Sequence, residues 1–275
     1  MNVKNLRNRV VLITGAGSGM GRATALLCAR RGARLAICDL NEAGLKETAE
    51  AARELGAEVL SQTVDVTDTE AMDEFAEAVH SRFKAVDLLI NNAGIGVGAG
   101  FFDTAPEDWD RQIAVNLMGV VHGCERFIPR MIERGTGGQV VNVASSAGYA
   151  AVPAMFAYSV TKFATFGFSE ALRIEMRRHK IGVTTICPGL INTPITRTSV
   201  MRGAHADERA ARVARLYERR GYAPERAAVN ILRAAGRNRA VAPIAPEAHL
   251  MYALTRIAPP VARWLAARTS AVLAK

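Results

Sequence analysis

Apolar positions in the first two hundred residues follow two alternating rhythms. Short β-branched runs at 9–13, 34–38, 58–64, 88–91, 139–143 and 182–187 read as strands. Between them, segments 21–31, 42–55, 70–82, 106–133 and 157–179 repeat apolar residues three and four apart, the period of a helix buried along one face. Strands separated by helical crossovers build a parallel sheet. Several of the runs are continuously apolar, as strands covered on both faces should be. The expected class is therefore α/β, a doubly wound parallel sheet of about seven strands with helices on both faces.

After Pro194 the alternation lapses. An Arg-rich helical segment at 196–222, a helix at 223–235 and a last short strand at 239–243 precede a tail from 246 to 275. In that tail Leu250, Leu254, Ile257, Val261 and Leu265 recur at helical spacing around Pro259-Pro260, which predicts a C-terminal helical extension with a packing surface. No repeat or low-complexity linker interrupts the pattern, so residues 1–275 read as one domain.

Composition narrows the class further. The chain has 275 residues, 49% of them hydrophobic, enough for a sizeable core. No stretch of about 18 uncharged apolar residues exists to span a bilayer. The apolar run at 10–13 leads straight into a glycine turn and reads as a first strand, not a signal peptide. Cys28, Cys38, Cys124 and Cys187 form no C-x-x-C pair and read as buried free thiols, with no metal site, suited to a reducing cytoplasm. Charge is lopsided: 20 Lys/Arg face 21 Asp/Glu through Pro194, and 15 face 5 after it. Such a run reads first as a solvated face, with no nucleic-acid partner expected, although arginines near a pocket can recruit an acidic substrate.

The first strand ends in Thr14-Gly15-Ala16-Gly17-Ser18-Gly19-Met20-Gly21. Glycines there permit a tight turn, let backbone N–H groups approach a pyrophosphate, and let the next helix pack closely on its strand. The turn follows a strand, opens a helix, and has Asp39 at the end of the second strand, which together make a Rossmann-type dinucleotide fingerprint. A carboxylate at 39 accepts from both ribose hydroxyls of NAD and repels the 2′-phosphate of NADP, so NAD is preferred. Ala16, Gly17 and Ser18 offer no phosphate-binding cation. Arg22 is close, and a helix-surface role suits it equally.

Taken in order, these motifs resemble the short-chain dehydrogenase/reductase family in its single-domain form, over roughly residues 6–243. The likeness is carried by Thr14–Gly21, Asp65-Val66 after the third strand, Asn91-Asn92-Ala93-Gly94 after the fourth, Asn116, Ser145, Tyr158-x-x-x-Lys162 and Pro188-Gly189. Tyr158 and Lys162 lie four apart on a predicted helix and so project from one face. A neighbouring ammonium favours a phenolate and would draw the phenol toward working pH.

The resemblance implies an NAD(P)-dependent oxidoreductase acting on an alcohol or ketone. Tyr158 would be the acid/base, Ser145 would hold the reacting oxygen, with Ser146 the competing serine, and Asn116 would anchor a water beside Lys162. Gly15, Ser18, Gly19, Met20, Gly21, Asp39 and Leu40 would hold one end of the cofactor. Asp65 and Val66 would meet the adenine, and Asn92, Ala93 and Gly94 the adenosine ribose. Tyr158, Lys162, Pro188, Gly189, Ile191 and Thr193 would meet the nicotinamide end. Residues 194–222 would form the substrate lid, with Val97, Phe101, Phe102, Tyr149, Val152, Met155 and Phe156 around a mouth suited to a lipophilic alcohol or ketone. Helices at 109–131 and 158–179 resemble those of the family's dimer interface, so a homodimer or homotetramer is expected. The tail departs from the compact family pattern and could pack on protein or touch a membrane surface. A non-catalytic dinucleotide sensor and an NAD-using epimerase are the rival classes; an intact Ser145, Tyr158 and Lys162 weighs against the first, and the lack of a larger C-terminal substrate domain against the second.

Overall fold

The protein, seen in a computed structural model that describes residues 2–274, is built on seven parallel strands. In chain order these are β1 (Val10–Thr14), β2 (Arg34–Asp39), β3 (Val59–Thr63), β4 (Leu88–Asn91), β6 (Gly138–Val143), β7 (Ile181–Pro188) and β9 (Val241–Ile244). Their order across the sheet is β3-β2-β1-β4-β6-β7-β9. The direction of winding reverses between β1 and β4, which opens a crevice at the carboxyl ends of these strands.

Side-chain alternation along β1 sorts the core. Val11 and Ile13 join one apolar cluster, with α1 (Gly19–Arg30), α2 (Glu42–Glu54) and α9 (Pro224–Gly236). Val10 and Leu12 join the opposite one, with α3 (Thr69–Phe83), α5 (Gly119–Arg134) and α6 (Phe156–Met176). Both faces of the strand are therefore sealed, and Val10 through Ile13 are at most 1% exposed. All seven strands expected from the pattern are present. The four cysteines are free and buried.

Three elements differ from the sequence expectation. The helix expected over 106–133 is α4 (Pro106–Ile113), then a π turn at Ala114–Met118, then α5. The wider turn spans only five residues, too few for an apolar period to tell it from α-helix. Segment 196–222 is not one helix: α7 (Ile195–Thr198) and α8 (Ala206–Arg220) flank a two-residue strand, β8 (Val200–Met201). β8 pairs in parallel with β5 (Val97–Gly98), a contact between residues a hundred positions apart that no local pattern encodes.

The tail forms α10 (Pro246–Ile257) and α11 (Pro259–Ala274). Its predicted packing stripe is covered only in part: Leu254 and Leu265 are half-buried. Leu250 is 61% and Ile257 84% exposed, whereas Ala248 and Ala262 are buried. Small residues let the helices approach closely, and Tyr149 anchors them by donating to the Ala248 carbonyl at 2.7 Å and stacking edge-on against Tyr252.

At the switch point Thr14 ties β1 to the chain leaving β4. Its buried Oγ1 accepts from the backbone N–H groups of Asn92 and Ala93, both at 3.1 Å. Thr14→Val keeps the shape and orphans both donors. The expected loss is about 2 kcal/mol of unfolding free energy, read by urea denaturation, with Thr14→Ser recovering most of it.

Candidate active site

The glycine turn is held by contacts that side chains would break. Gly15 has φ +66°, and a Cβ there would lie 2.8 Å from the Ala93 Cα. A Cβ on Gly21 would fall 1.9 Å from the Gly15 carbonyl oxygen, so only glycine lets α1 sit this close to its strand. The Ser18 hydroxyl makes no capping bond and the first turn of α1 carries no acid. The free N–H groups at that helix end are thus left to the groove that Ser18, Gly19 and Met20 line.

The groove has a volume of about 520 Å³, bounded on its far side by Asp39, Leu40, Asp65 and Val66. Asp39 is fixed before any ligand arrives: Oδ2 accepts from Gly17 N at 2.7 Å and Oδ1 from Asn41 N at 2.8 Å. A Cβ on Gly17 would meet the Asp39 carboxyl carbon at 2.9 Å. Asp65 Oδ1 accepts from the Thr67 backbone and hydroxyl. A glycine-walled trough with a helix N-terminus at one end and a fixed carboxylate at the other fits a dinucleotide. Asn92, Ala93 and Gly94 line it, but the Asn92 amide donates to the Thr14 and Gly15 carbonyls at 3.0 and 2.9 Å and so braces the turn. Asp110 and Arg111 at the end of α4, and Ala114 and Val115 in the π turn, also line the groove and were not expected.

Met20, Asn92, Gly94, Thr193 and Ile195 line this groove and also a second cavity of about 260 Å³, so the two are continuous. Ser145, Tyr158, Lys162, Pro188, Gly189 and Ile191 converge on that second cavity. Ser145 follows β6, and its hydroxyl accepts from Ala147 N at 3.1 Å and lies on the Tyr158 side of the cavity. Ser146 also lines the cavity. Lys162 is 4% exposed, donates to the Val143 carbonyl at 3.1 Å, and holds Nζ 5.7 Å from the Tyr158 ring centre.

Electrostatics here differ from the sequence expectation. Burial pushes the Tyr158 phenol above its ordinary value, and the Ser145 hydroxyl only partly opposes this. Burial also brings Lys162 down to about 8. Burial dominates at the phenol and no lowering by Lys162 enters there, so the protein's own groups do not draw it down.

Asn116 is fully buried in the π turn. Its Oδ1 accepts from Ile95 N at 2.9 Å, and its Nδ2 donates to the Ile95 carbonyl at 3.0 Å and Thr161 Oγ1 at 3.2 Å. A Cβ on Gly94 would come within 3.2 Å of Asn116 Oδ1 and 3.4 Å of Lys162 Nζ, so a bare glycine is what separates them.

The mouth needs correction. Val152 and Met155 line the cavity, but Val97 is buried beneath β8, Phe102 is 96% exposed, and Phe101 and Phe156 stack on each other outside it. Tyr149 belongs to the tail contact. Gly96, Gly98, Leu190, Met201, Arg209, Val213 and Leu216 complete the wall instead. The helical spacing of Arg209, Val213 and Leu216 on α8 was the available signal.

The short chain dehydrogenase family model matches residues 9–202. The chain belongs to the short-chain dehydrogenase family. Its members are NAD(P)-dependent oxidoreductases. The chain is 42% identical over 259 residues to "Probable oxidoreductase EphD" of Mycobacterium tuberculosis, covering 92% of this chain and 44% of that protein, so it spans less than half of that relative's length. It is 37% identical over 204 residues to the CLA biosynthesis dehydrogenase/reductase of Lactiplantibacillus plantarum, covering 74% of this chain and 71% of that one. Among solved structures, a short-chain dehydrogenase/reductase from Burkholderia phymatum in complex with NAD superposes with a TM-score of 0.83 at 29% identity, over 92% of this chain and 96% of that one.

A folded-state value of about 8 against 10.5 for a free lysine means that Lys162 sheds its proton earlier in the folded protein than in the unfolded chain. Between those values the unfolded chain binds more protons, so the burial penalty is full below pH 8 and fades as pH rises. Lys162→Met removes it. At pH 7 that variant is expected to unfold at the same or higher temperature than the parent, by calorimetry, while its dehydrogenase turnover falls at least about a hundredfold.

Proposed function

We propose that this short-chain dehydrogenase moves a hydride between NAD(H) and a lipophilic secondary alcohol or its ketone, with Tyr158 as the general acid/base. The observation that carries the reading is the continuity of the glycine-walled groove with a mostly apolar cavity, where Ser145, Tyr158 and Lys162 meet. The dinucleotide supplies or accepts the hydride when bound. Ser145 holds the substrate oxygen against the Tyr158 hydroxyl, which takes the proton in oxidation and returns it in reduction. Lys162 Nζ offsets charge on the phenol oxygen, and Asn116, beside Gly94, holds a water that passes the proton onward.

Pro188, Gly189, Ile191 and Thr193 hold the nicotinamide end; Gly15, Ser18, Gly19, Met20 and Gly21 hold the pyrophosphate. Residues 194–222 act as the lid. Val152, Met155, Leu190, Met201, Val213 and Leu216 give the substrate an apolar bed, and Arg209 leaves room for an anionic group at its end. The exposed Val160, Phe163 and Ile174 on α6 suit a homodimer or homotetramer. Among the described residues no helix is long and apolar enough to cross a membrane.

Preference for NAD rests on Asp39, which its backbone bonds hold at the groove wall. Arg22, the one cation considered for a 2′-phosphate, is engaged with Glu47 at 2.7 Å. Tyr158→Phe should retain NAD binding and lose at least about a thousandfold in turnover across an alcohol panel read by NADH absorbance; undiminished turnover would overturn the assignment. Asp39→Ser should raise kcat/KM with NADP at least about tenfold and lower it with NAD, and an unchanged ratio would refute the preference.

A further inference from the structure

The basic excess of the last third has a second concentration, away from the catalytic groove. A hollow of about 320 Å³ lies between α9 and the start of α10 and shares no lining residue with the groove or the substrate cavity. Arg226, Arg233, Arg237, Arg239 and His249 line it, and no carboxylate does. Among the described residues none of these four arginines has an ion-pair partner. The two nearest acids by sequence lead elsewhere. Glu225 is exposed on the first turn of α9, and Glu247 accepts from the Leu190 N–H at 2.8 Å.

A helix C-terminus welcomes cations, which accounts for Arg233 and Arg237 at the end of α9. It does not account for Arg226, in the first turn of the same helix, where a cation opposes the dipole. Arg239 and His249 lie off that helix altogether. Like charges one turn apart on an exposed helix repel each other, as Arg233 and Arg237 do.

Two of the cations are also held in place. The Arg226 guanidinium stacks on the Tyr222 ring 5.1 Å from its centre. Asn230 Nδ2 donates to the Tyr222 hydroxyl at 2.7 Å, and Asn230 Oδ1 accepts from Arg233 at 3.3 Å. At the hollow's wall Ala245 adopts φ +81°, ψ 151°, a conformation almost confined to glycine, just before the N-terminus of α10. Guanidinium forks bind phosphate oxygens bidentately, and four of them around a concavity, without an ion-pair partner among the described residues, suit an anion of more than one negative charge.

We infer that this hollow is a second anion site, taking two or more phosphoryl groups, on one molecule or on neighbouring headgroups, bridged by Arg226, Arg233, Arg237 and Arg239. Two sources share that chemistry: a soluble diphosphate-bearing molecule and an anionic phospholipid headgroup. The test uses the full chain with saturating NAD, which blocks the dinucleotide groove. Inorganic pyrophosphate is titrated by calorimetry, and flotation with phosphatidylglycerol or phosphatidylcholine vesicles runs in parallel, both at physiological salt. The expected result is saturable pyrophosphate binding that weakens at least about tenfold in Arg233→Gln/Arg237→Gln, while NAD affinity is unchanged. Flotation on phosphatidylglycerol alone, lost in the same variant, would assign the site to a lipid. The inference is overturned if neither probe binds, or if binding survives the double substitution. Both residues are exposed, and unchanged NAD affinity certifies that the variant is folded.

Discussion

The site depends on an ammonium kept almost entirely out of solvent. Burying Lys162 costs free energy at neutral pH, and the sheet supplies only one carbonyl, that of Val143, in direct return. A residue retained at such a cost is held for something other than stability. Its neighbours are arranged around the cost: Gly94 leaves room for Nζ, Asn116 locks the Ile95 backbone, and Tyr158 lies one helical turn away on α6. Those neighbours come from β4, the π turn and α6, so three separate packing decisions converge on one charge.

The π turn is the clearest case of local geometry serving the site. In a straight helix each carbonyl is taken by the N–H four residues on. Here the wider turn sits where the Asn116 carbonyl accepts from the Thr165 hydroxyl at 2.8 Å, while that hydroxyl also bonds the Thr161 carbonyl at 2.9 Å. Asn116 and α6 are thereby bolted together through side chains. The Asn116 amide is left to hold the Ile95 backbone and, with it, the chain leaving β4.

Much of this was legible in the sequence because it rests on short-range rules. The seven strands follow from apolar runs, the glycine turn from its spacing and position, and the Tyr158–Lys162 pair from one helical turn. What was not legible depends on distant partners. Nothing local tells Val200 to pair with Val97, or Val97 to be buried rather than to line a mouth. A helical period cannot reveal the one extra residue of a π turn. The tail stripe was informative only in part, because periodicity marks which residues share a face, not how much of that face the fold covers: Leu254 and Leu265 are half-buried while Leu250 and Ile257 are exposed. The phenol differs for an electrostatic reason: proximity of Lys162 was readable, but the burial that raises the phenol belongs to the folded interior.

The two parts of the chain divide the physics between them. The part through Pro194 is nearly neutral and supplies the scaffold, the glycine turn, and Ser145, Tyr158 and Lys162. The remainder carries 15 basic residues against 5 acidic ones and supplies most of what could distinguish one ligand from another. Some of those cations are spent on structure: Arg202 grips Asp108 through two bonds of 3.0 and 3.1 Å, pinning β8 to α4 and holding the Asp108 carboxyl below its ordinary value. Arg209 faces the substrate cavity and the four arginines beside α10 face their own hollow, so only a fraction of the excess charge is consumed by the fold. A scaffold held together by its two apolar clusters can carry cations without an ion-pair partner among the described residues at its edge, where Arg226, Arg233, Arg237 and Arg239 stand.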